Sequence, residues 1–164
     1  MLYAVMLGGK HDSANIEVHD VVFVSGDSLE VTHDQLREQW FGRAKGLHVD
    51  AWMAIDGIEQ YRVQLKGHPV TKGSPRLYFI NLGGYIRQVF GEAHCYFLVV
   101  APDLKTARAK AKKHFDPDWY KPHIDAAFEL DDCVLVDQVA GQYVHLVEGS
   151  HLGVEFENTY LVIG

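Results

Sequence analysis

The chain has 164 residues, of which 48% are hydrophobic and 23% are charged, a composition near that of globular proteins. Its formal net charge of −7 opposes contact with phosphate backbones and anionic lipid surfaces, so neither nucleic acid nor a membrane is expected as a partner. The apolar runs are far shorter than the roughly 18 residues of a spanning helix, and no basic leader precedes the first of them. Because Cys95 and Cys133 form no C-x-x-C pair or disulfide framework, we expect a cytoplasmic protein.

The first predicted elements are two strands and a helix. LYAVMLGG (2–9) is an apolar run closed by two glycines, which permit a turn, and DVVFVSG (20–26) follows a polar loop. Thr32 and Gln35 have capping-box spacing, so a helix is predicted after them. The stretch DAWMAIDGIEQYRVQL (50–65) then indicates extended chain with an acidic turn.

The same order of elements returns after the linker-like segment KGHPVTKGSPR (66–76). LYFINLGG (77–84) and CYFLVVA (95–101) predict strands, and Asp103 is the predicted N-cap of a helix that reaches Phe115. Three further extended stretches complete the chain. They are DAAFELDDCVLVDQV (125–139), QYVHLVEG (142–149) and VEFENTYLVIG (154–164). The last two are expected to extend the second sheet or to cover an edge.

Identical residues recur at a separation of 75. Sliding residues 2–65 over 77–140 without a gap gives thirteen identical positions, where about four are expected from composition. Leu7 matches Leu82 in this comparison, and both are expected to be buried. The sequence therefore predicts an internal duplication, with the halves related by a pseudo-two-fold axis.

We predict an α+β fold of two tandem strand-strand-helix-strand(-strand) repeats, each similar to a ubiquitin-like roll. The first repeat spans 1–70, and the second spans 71–164 with the extra C-terminal strands. The strand segments VVFV (21–24) and YFLVV (96–100) are continuously apolar, which is typical of strands buried on both faces. The repeats are therefore expected to share a core within one compact globular unit.

Several of these segments resemble a bacterial family catalogued as domain of unknown function fifteen forty-three. They are LYxxxLGG with a following His and apolar strand, FINLGGY and LHVDAW. The resemblance covers most of residues 2–135 and implies a duplicated α+β architecture. It implies no activity, since the family has no assigned substrate or catalytic residues. Ala127 stands where Trp52 has its counterpart, so the two copies are not expected to present interchangeable surfaces.

Paired H-x-D motifs are the strongest candidates for chemistry. In extended chain, a His and an Asp two residues apart share a face and can bind one ion or act as an acid/base pair. The motifs can meet at the pseudo-two-fold axis, with two further histidines around them. A structural interpretation is favoured, in which Asp accepts backbone N–H bonds and His packs, because both halves retain the motif. The candidate residues are His19, His48, Asp50, His94, His123 and Asp125.

Two functions from different classes follow from these features. The favoured one is a non-catalytic binding or assembly module, whose sheet edges engage a protein partner or a second copy of the chain. The alternative is a small metal- or acid/base-dependent enzyme using the H-x-D pairs in a cleft between the repeats. Neither MLGGKHDS nor NLGGYIRQ fits a phosphate-binding glycine motif, and no cofactor or metal is predicted.

Overall fold

The structure is a computed structural model that describes residues 1–114 and 132–164. These residues form a mixed α+β fold rich in antiparallel strands, as the sequence predicts at that level. The helices of the described chain are α1 (His33–Gln39) and α2 (Leu104–Ala111). Its strands are β1 (Leu2–Gly9), β2 (Val18–Ser25), β3 (His48–Ile55), β4 (Gly57–Ile58), β5 (Tyr61–Lys66), β6 (Arg76–Gly84), β7 (Ala93–Ala101), β8 (Asp132–Val136), β9 (Gln138–Val139), β10 (Gln142–Glu148) and β11 (Val154–Val162). Neither of these two helices has the length and apolar character needed to span a bilayer.

The described strands form three antiparallel sheets. The first has the order β11-β3-β1-β2, the second β4-β5-β10-β9 and the third β7-β6-β8. In the first and third sheets a central strand, β1 or β6, therefore lies between the strand that follows it and the strand after the helix. β11 pairs with β3, so this C-terminal strand covers an edge of the first sheet and does not extend the third.

In the first and third sheets, the central strand pairs in the same register with the strand that follows it in the chain. Leu7 of β1 pairs with Asp20, and Leu82 of β6 pairs with Cys95, so both partners are shifted by 75 residues. Both leucines are buried, as predicted.

After the helices, the separation between matching positions is 81 residues. Leu2 pairs with Ile55 while Leu77 pairs with Val136, and 136 − 55 is 81. The turns after the short strands β4 and β9 each contain a non-glycine residue with positive φ, again 81 positions apart. These residues are Glu59 (φ 55°) and Ala140 (φ 49°). A gap-free comparison at a separation of 75 residues therefore misaligns β3 and β8 by six residues.

The two halves meet through an antiparallel pair of strands, β5 and β10. Gln64 lies opposite His145 at the centre of this pair, and the two are 81 positions apart. The other pairs are arranged symmetrically about this one, since Val63 lies opposite Leu146 and Leu65 lies opposite Val144.

Three buried clusters hold the fold together, and the largest contains side chains from both halves. It includes Leu2 and Ile55 together with Leu77 and Val144. The other two clusters lie under the helices, one including Leu36 of α1 and one including Ala107 of α2. The first sheet is therefore covered by α1 on one face and by the other half of the chain on the opposite face. The third sheet is covered in the same way, with α2 as its helix.

The predicted capping box of α1 is wrong. The Thr32 hydroxyl donates to the Leu29 carbonyl oxygen and makes no cap bond. The Gln35 amide instead bonds to both backbone groups of Ser25, which fastens α1 to β2. The cap predicted for α2 is confirmed, since the Asp103 carboxylate accepts a backbone N–H bond at 2.7 Å.

Candidate functional site

A buried histidine begins strand β3. His48 is 1% exposed, and its Nδ1 lies 2.8 Å from the carbonyl oxygen of Gly46. Because a carbonyl oxygen only accepts, Nδ1 is the donor, and in the neutral ring the lone pair lies on Nε2. That Nε2 atom is buried and has no hydrogen-bond partner among the described residues. A buried ring nitrogen is therefore left without a hydrogen bond by the residues that the structure describes.

Two carboxylates face this nitrogen. His48 Nε2 is 3.4 Å from Oδ1 of Asp50 and 3.5 Å from Oε1 of Glu17. Both separations exceed the usual N–H···O length of about 2.7–3.2 Å. The other carboxylate oxygen of Asp50, Oδ2, is buried and also lacks a hydrogen-bond partner within the described chain. The three side chains thus approach each other without forming hydrogen bonds to each other.

His19 approaches the same carboxylates from the solvent side. Its Nε2 is 3.3 Å from Oδ2 of Asp50 and 3.5 Å from Oε1 of Glu17. The His19 side chain is 48% exposed, whereas that of Asp50 is 25% exposed. We call Glu17, His19, His48 and Asp50 the His48 cluster. Three of its members, Glu17, His48 and Asp50, have ligand atoms that all lie within 4.8 Å of one another.

Gly8 makes room for the His48 cluster. It pairs with His19 on one side and with His48 on the other, so three adjacent strands meet at this point. A Cβ atom on Gly8 would overlap the Asp50 carboxylate and the His48 ring. Gly8 lies within β1 and does not have positive φ, so the predicted turn at this glycine is wrong. Its role is to allow the close approach of two polar side chains.

A break in strand register orients Asp50. Met6 pairs with Ala51 and Leu7 pairs with Val49, so Asp50 is the extra residue of a bulge in β3. Bulges redirect a side chain relative to the regular alternation of a strand and occur next to functional sites. His48 and Asp50 both reach the same point beside Gly8.

The structure brings together three of the six predicted site residues, namely His19, His48 and Asp50. His94 lies on the third sheet, where its Nδ1 is 2.9 Å from the amide oxygen of Asn81. The Asn81 amide nitrogen donates to Asp132 at 3.2 Å. The remaining two, His123 and Asp125, lie outside the described residues.

Glu17 and Tyr160 are the site residues that the sequence analysis did not identify. Glu17 is among the positions that recur at a separation of 75, because Glu92 precedes His94 as Glu17 precedes His19. That recurrence was the available signal. The Tyr160 ring lies 4.5 Å from the His48 ring, between centroids, and β11 has no counterpart in the first half that could have indicated it.

A cleft between the first and third sheets opens beside the His48 cluster. It contains two cavities of about 320 and 330 Å³, and Met6, Val21, Phe79 and Tyr96 contribute to both. We call the first the apolar cavity, since carbon-rich side chains line most of it. The second is the acidic cavity, which also includes His19.

The His48 cluster has two chemical capabilities. Imidazole nitrogen and carboxylate oxygen are ligands of zinc and other divalent transition metals. The same groups can exchange a proton between an imidazole and a carboxylate.

Comparison with known proteins identifies a family and leaves the chemistry open. The family model described as Domain of Unknown Function (DUF1543) matches residues 14–65, a range that contains the whole His48 cluster. No curated protein matches the chain. The crystal structure of a protein Il1583 from Idiomarina loihiensis is similar, with 31% identity, a TM-score of 0.72, and coverage of 99% of this chain and 97% of that one. The chain therefore belongs to the DUF1543 family.

Proposed function

We propose that this protein binds a divalent metal ion, with Zn²⁺ as the best fit, through His48, Asp50 and Glu17, with His19 beside the open position on the solvent side. The observation that carries the proposal is the buried Nε2 of His48, which faces two carboxylates and has no hydrogen-bond partner in the described part of the chain. A buried polar atom without a partner costs free energy, which a bound cation removes. The proposal reverses the sequence-based preference for a non-catalytic module.

The separations between ligand atoms support a tetrahedral ion. Ligand atoms about 2.1 Å from a tetrahedral Zn²⁺ are about 3.4 Å apart. The separations from Nε2 of His48 are close to that value, at 3.4 Å to Oδ1 of Asp50 and 3.5 Å to Oε1 of Glu17. An octahedral ion at the same bond length requires about 3.0 Å between adjacent ligands, which fits these separations less well.

The surroundings of His48 support the same ion. The bond from Nδ1 to the Gly46 carbonyl holds the tautomer that presents Nε2, as is usual for histidines that bind metals. Two carboxylates also neutralise a divalent cation, whereas without one they repel each other. Glycine at position 8 keeps the space between the ligands open.

The proposed site faces solvent and is suited to chemistry as well as to binding. The side chains of Glu17 and His19 are 43% and 48% exposed. Structural zinc sites are closed by four protein ligands, whereas catalytic sites keep one position for water or substrate. With three ligands close together and His19 at the solvent side, the site supports the metal-dependent enzyme alternative. When bound, Zn²⁺ lowers the pKa of its water to about 7.

The proposal includes the tandem-repeat architecture, with repeats at 1–70 and 71–164. The equal registers of the first and third sheets and the constant separations of 75 and 81 residues support it. The central pairing of Gln64 with His145 supports a pseudo-two-fold axis. The ubiquitin-like roll remains a prediction, as does a site at His123 and Asp125.

The assembly function is the second candidate, and strand β11 favours it. β11 is an edge of the first sheet, and Phe156 and Tyr160 on it are each 69% exposed. Edge strands with apolar side chains pair readily with a second strand. Light scattering on a size-exclusion column tests this candidate: a dimer that Phe156→Lys converts to monomer supports it, and a monomeric wild type contradicts it.

Titration calorimetry on chelator-treated protein tests the metal proposal. We expect one Zn²⁺ per His48 cluster with a dissociation constant below about 1 μM. Glu17→Gln should weaken binding by at least about tenfold. Glu155→Gln removes one carboxylate from β11, beside Ala54 and away from Gly8, and should leave the affinity unchanged. Zn²⁺ binding that is absent, or that both variants weaken equally, would contradict the proposal.

Stability without metal separates the metal from a structural ion pair. If an imidazolium of His48 holds the carboxylates, Asp50→Asn should destabilise the metal-free protein. If the site is built for a cation, Asp50→Asn relieves carboxylate repulsion, so the metal-free melting temperature stays constant or rises. The same substitution should abolish the rise in melting temperature on adding Zn²⁺. Melts with and without Zn²⁺ measure both effects.

A further inference from the structure

The acidic cavity has a different chemistry from the His48 cluster. It lies between β2 and β8, and its wall includes the carboxylates of Asp20 and Asp132. One oxygen of Asp20 accepts the backbone N–H of Val21 at 2.8 Å, and one oxygen of Asp132 accepts the Asn81 amide at 3.2 Å. Each of these bonds uses a single carboxylate oxygen. Among the described residues, no Lys or Arg lines the cavity.

Three aromatic rings also line the acidic cavity. Phe23 and Phe79 meet edge to face with 5.5 Å between ring centroids, and Phe79 and Tyr96 are stacked at 5.9 Å. Aromatic faces attract organic cations, and carboxylates nearby add direct charge attraction. The volume of about 330 Å³ is at the lower end of the range for small-molecule sites, about 300–1,000 Å³.

The apolar cavity can be compared with the acidic cavity position by position. Met6 lines it at the position that matches Asn81, 75 residues later, and Ala51 lines it at the position that matches Asp132, 81 residues later. The two cavities thus occupy matching places, and only the second has a carboxylate and an amide at these positions. The acidic groups are therefore a feature of one cavity and not of the fold.

We propose that the acidic cavity binds a small organic ammonium ion with an apolar body. Asp20 and Asp132 pair with the ammonium group, and the rings of Phe23, Phe79 and Tyr96 contact the carbon skeleton. An anion is excluded because two carboxylates and no Lys or Arg of the described chain line the cavity. The site is separate from the proposed metal ligands, and His19 borders both.

Three probes of similar size test the charge preference, namely 2-phenylethylammonium, 3-phenylpropionate and 2-phenylethanol. Chemical-shift titrations on metal-free protein should show saturable binding of the ammonium probe, with a dissociation constant at or below about 1 mM. The neutral and anionic probes should bind at least about tenfold more weakly. Equal binding of all three, or no saturable binding of the ammonium probe, would overturn the proposal.

Matched variants locate the binding. Asp132→Asn keeps the shape of the side chain and should weaken binding of the ammonium probe at least about fivefold. Glu155→Gln is the charge-matched control on β11 and should have no effect. If both variants weaken binding equally, the attraction is a general effect of the net charge of −7, and the proposal fails. Because Asp132 is not a proposed metal ligand, Zn²⁺ affinity should be unchanged in Asp132→Asn, so failure of this site and failure of the metal site are distinguishable.

Discussion

The first and third sheets have the same three-strand arrangement around β1 and β6, yet their polar groups are satisfied differently. On the third sheet, Asn81 uses its amide oxygen towards His94 and its amide nitrogen towards Asp132. On the first sheet, Nε2 of His48 and Oδ2 of Asp50 are buried without hydrogen-bond partners among the described residues. A neutral amide thus connects a histidine and an aspartate on the third sheet, whereas no group of the described residues connects His48 and Asp50 on the first. In our proposal, the metal ion takes this connecting role beside Gly8.

The largest expected effect comes from separating the halves. Residues 1–70 alone would lose the side chains of the second half that pack against Leu2 and Ile55 in the shared cluster. They would also lose β11, which pairs with β3. Because a domain of this length has little stability in reserve, we expect an unfolded or associated fragment. Circular dichroism melts and size-exclusion chromatography measure this, and a monomer with a cooperative melt would show that the first half is independent.

The next largest effect is expected at Gly8, the point where the first sheet differs most from ordinary strand packing. Gly8→Ala introduces a Cβ that overlaps the Asp50 carboxylate and the His48 ring, so we expect a loss of about 1–3 kcal/mol in unfolding free energy. Zn²⁺ binding should be lost as well. Gly67→Ala is the control, because no atom lies within 4 Å of its added Cβ. Chemical denaturation with and without Zn²⁺ distinguishes the variants, and equal stability of the two would contradict the crowding argument.

A smaller effect is expected when the third sheet receives the residue of the first. Asn81→Met copies the side chain of Met6 into the matching position and removes the amide between His94 and Asp132. Loss of these bonds should lower the unfolding free energy by about 0.5–1.5 kcal/mol. The reciprocal Met6→Asn is the matched control for side-chain size. If Asn81→Met is as stable as wild type, the hydrogen-bonded row on the third sheet contributes nothing to folding.

Local patterns were sufficient to predict most of the elements and one of the two helix caps. The apolar runs that form β1 and β6 are continuous because their faces are covered by a helix and by the other half of the chain. Asp103 could be identified because a cap depends only on neighbouring residues. Thr32 has the same local signal, but Gln35 is drawn away to Ser25 on β2, a tertiary contact that spacing does not reveal.

The site was only partly predictable, for reasons of tertiary structure. His48 and Asp50 share a motif, but the space in which they meet depends on the absence of a side chain at Gly8, on a neighbouring strand. Glu17 reaches them from the loop before β2, which no local pattern indicates. The pairing of β11 with β3 likewise joins segments that are far apart in the sequence, and it places Tyr160 against His48.

The smallest expected effect concerns the helices that cover the two sheets, since only α2 is capped by a carboxylate. A backbone N–H bond from Thr106 lowers the pKa of Asp103 below its usual value. A carboxyl group with a lowered pKa in the folded state stabilises the protein above its unfolded pKa and loses this contribution as the pH falls through the folded pKa. Asp103→Ala should therefore lower the melting temperature at neutral pH, and the difference from wild type should shrink as the pH falls below about 4. Thr32→Ala, at the N-cap position of α1, removes no titrating group and should show a difference that does not depend on pH. Parallel pH profiles for the two variants would exclude the carboxylate as the cause.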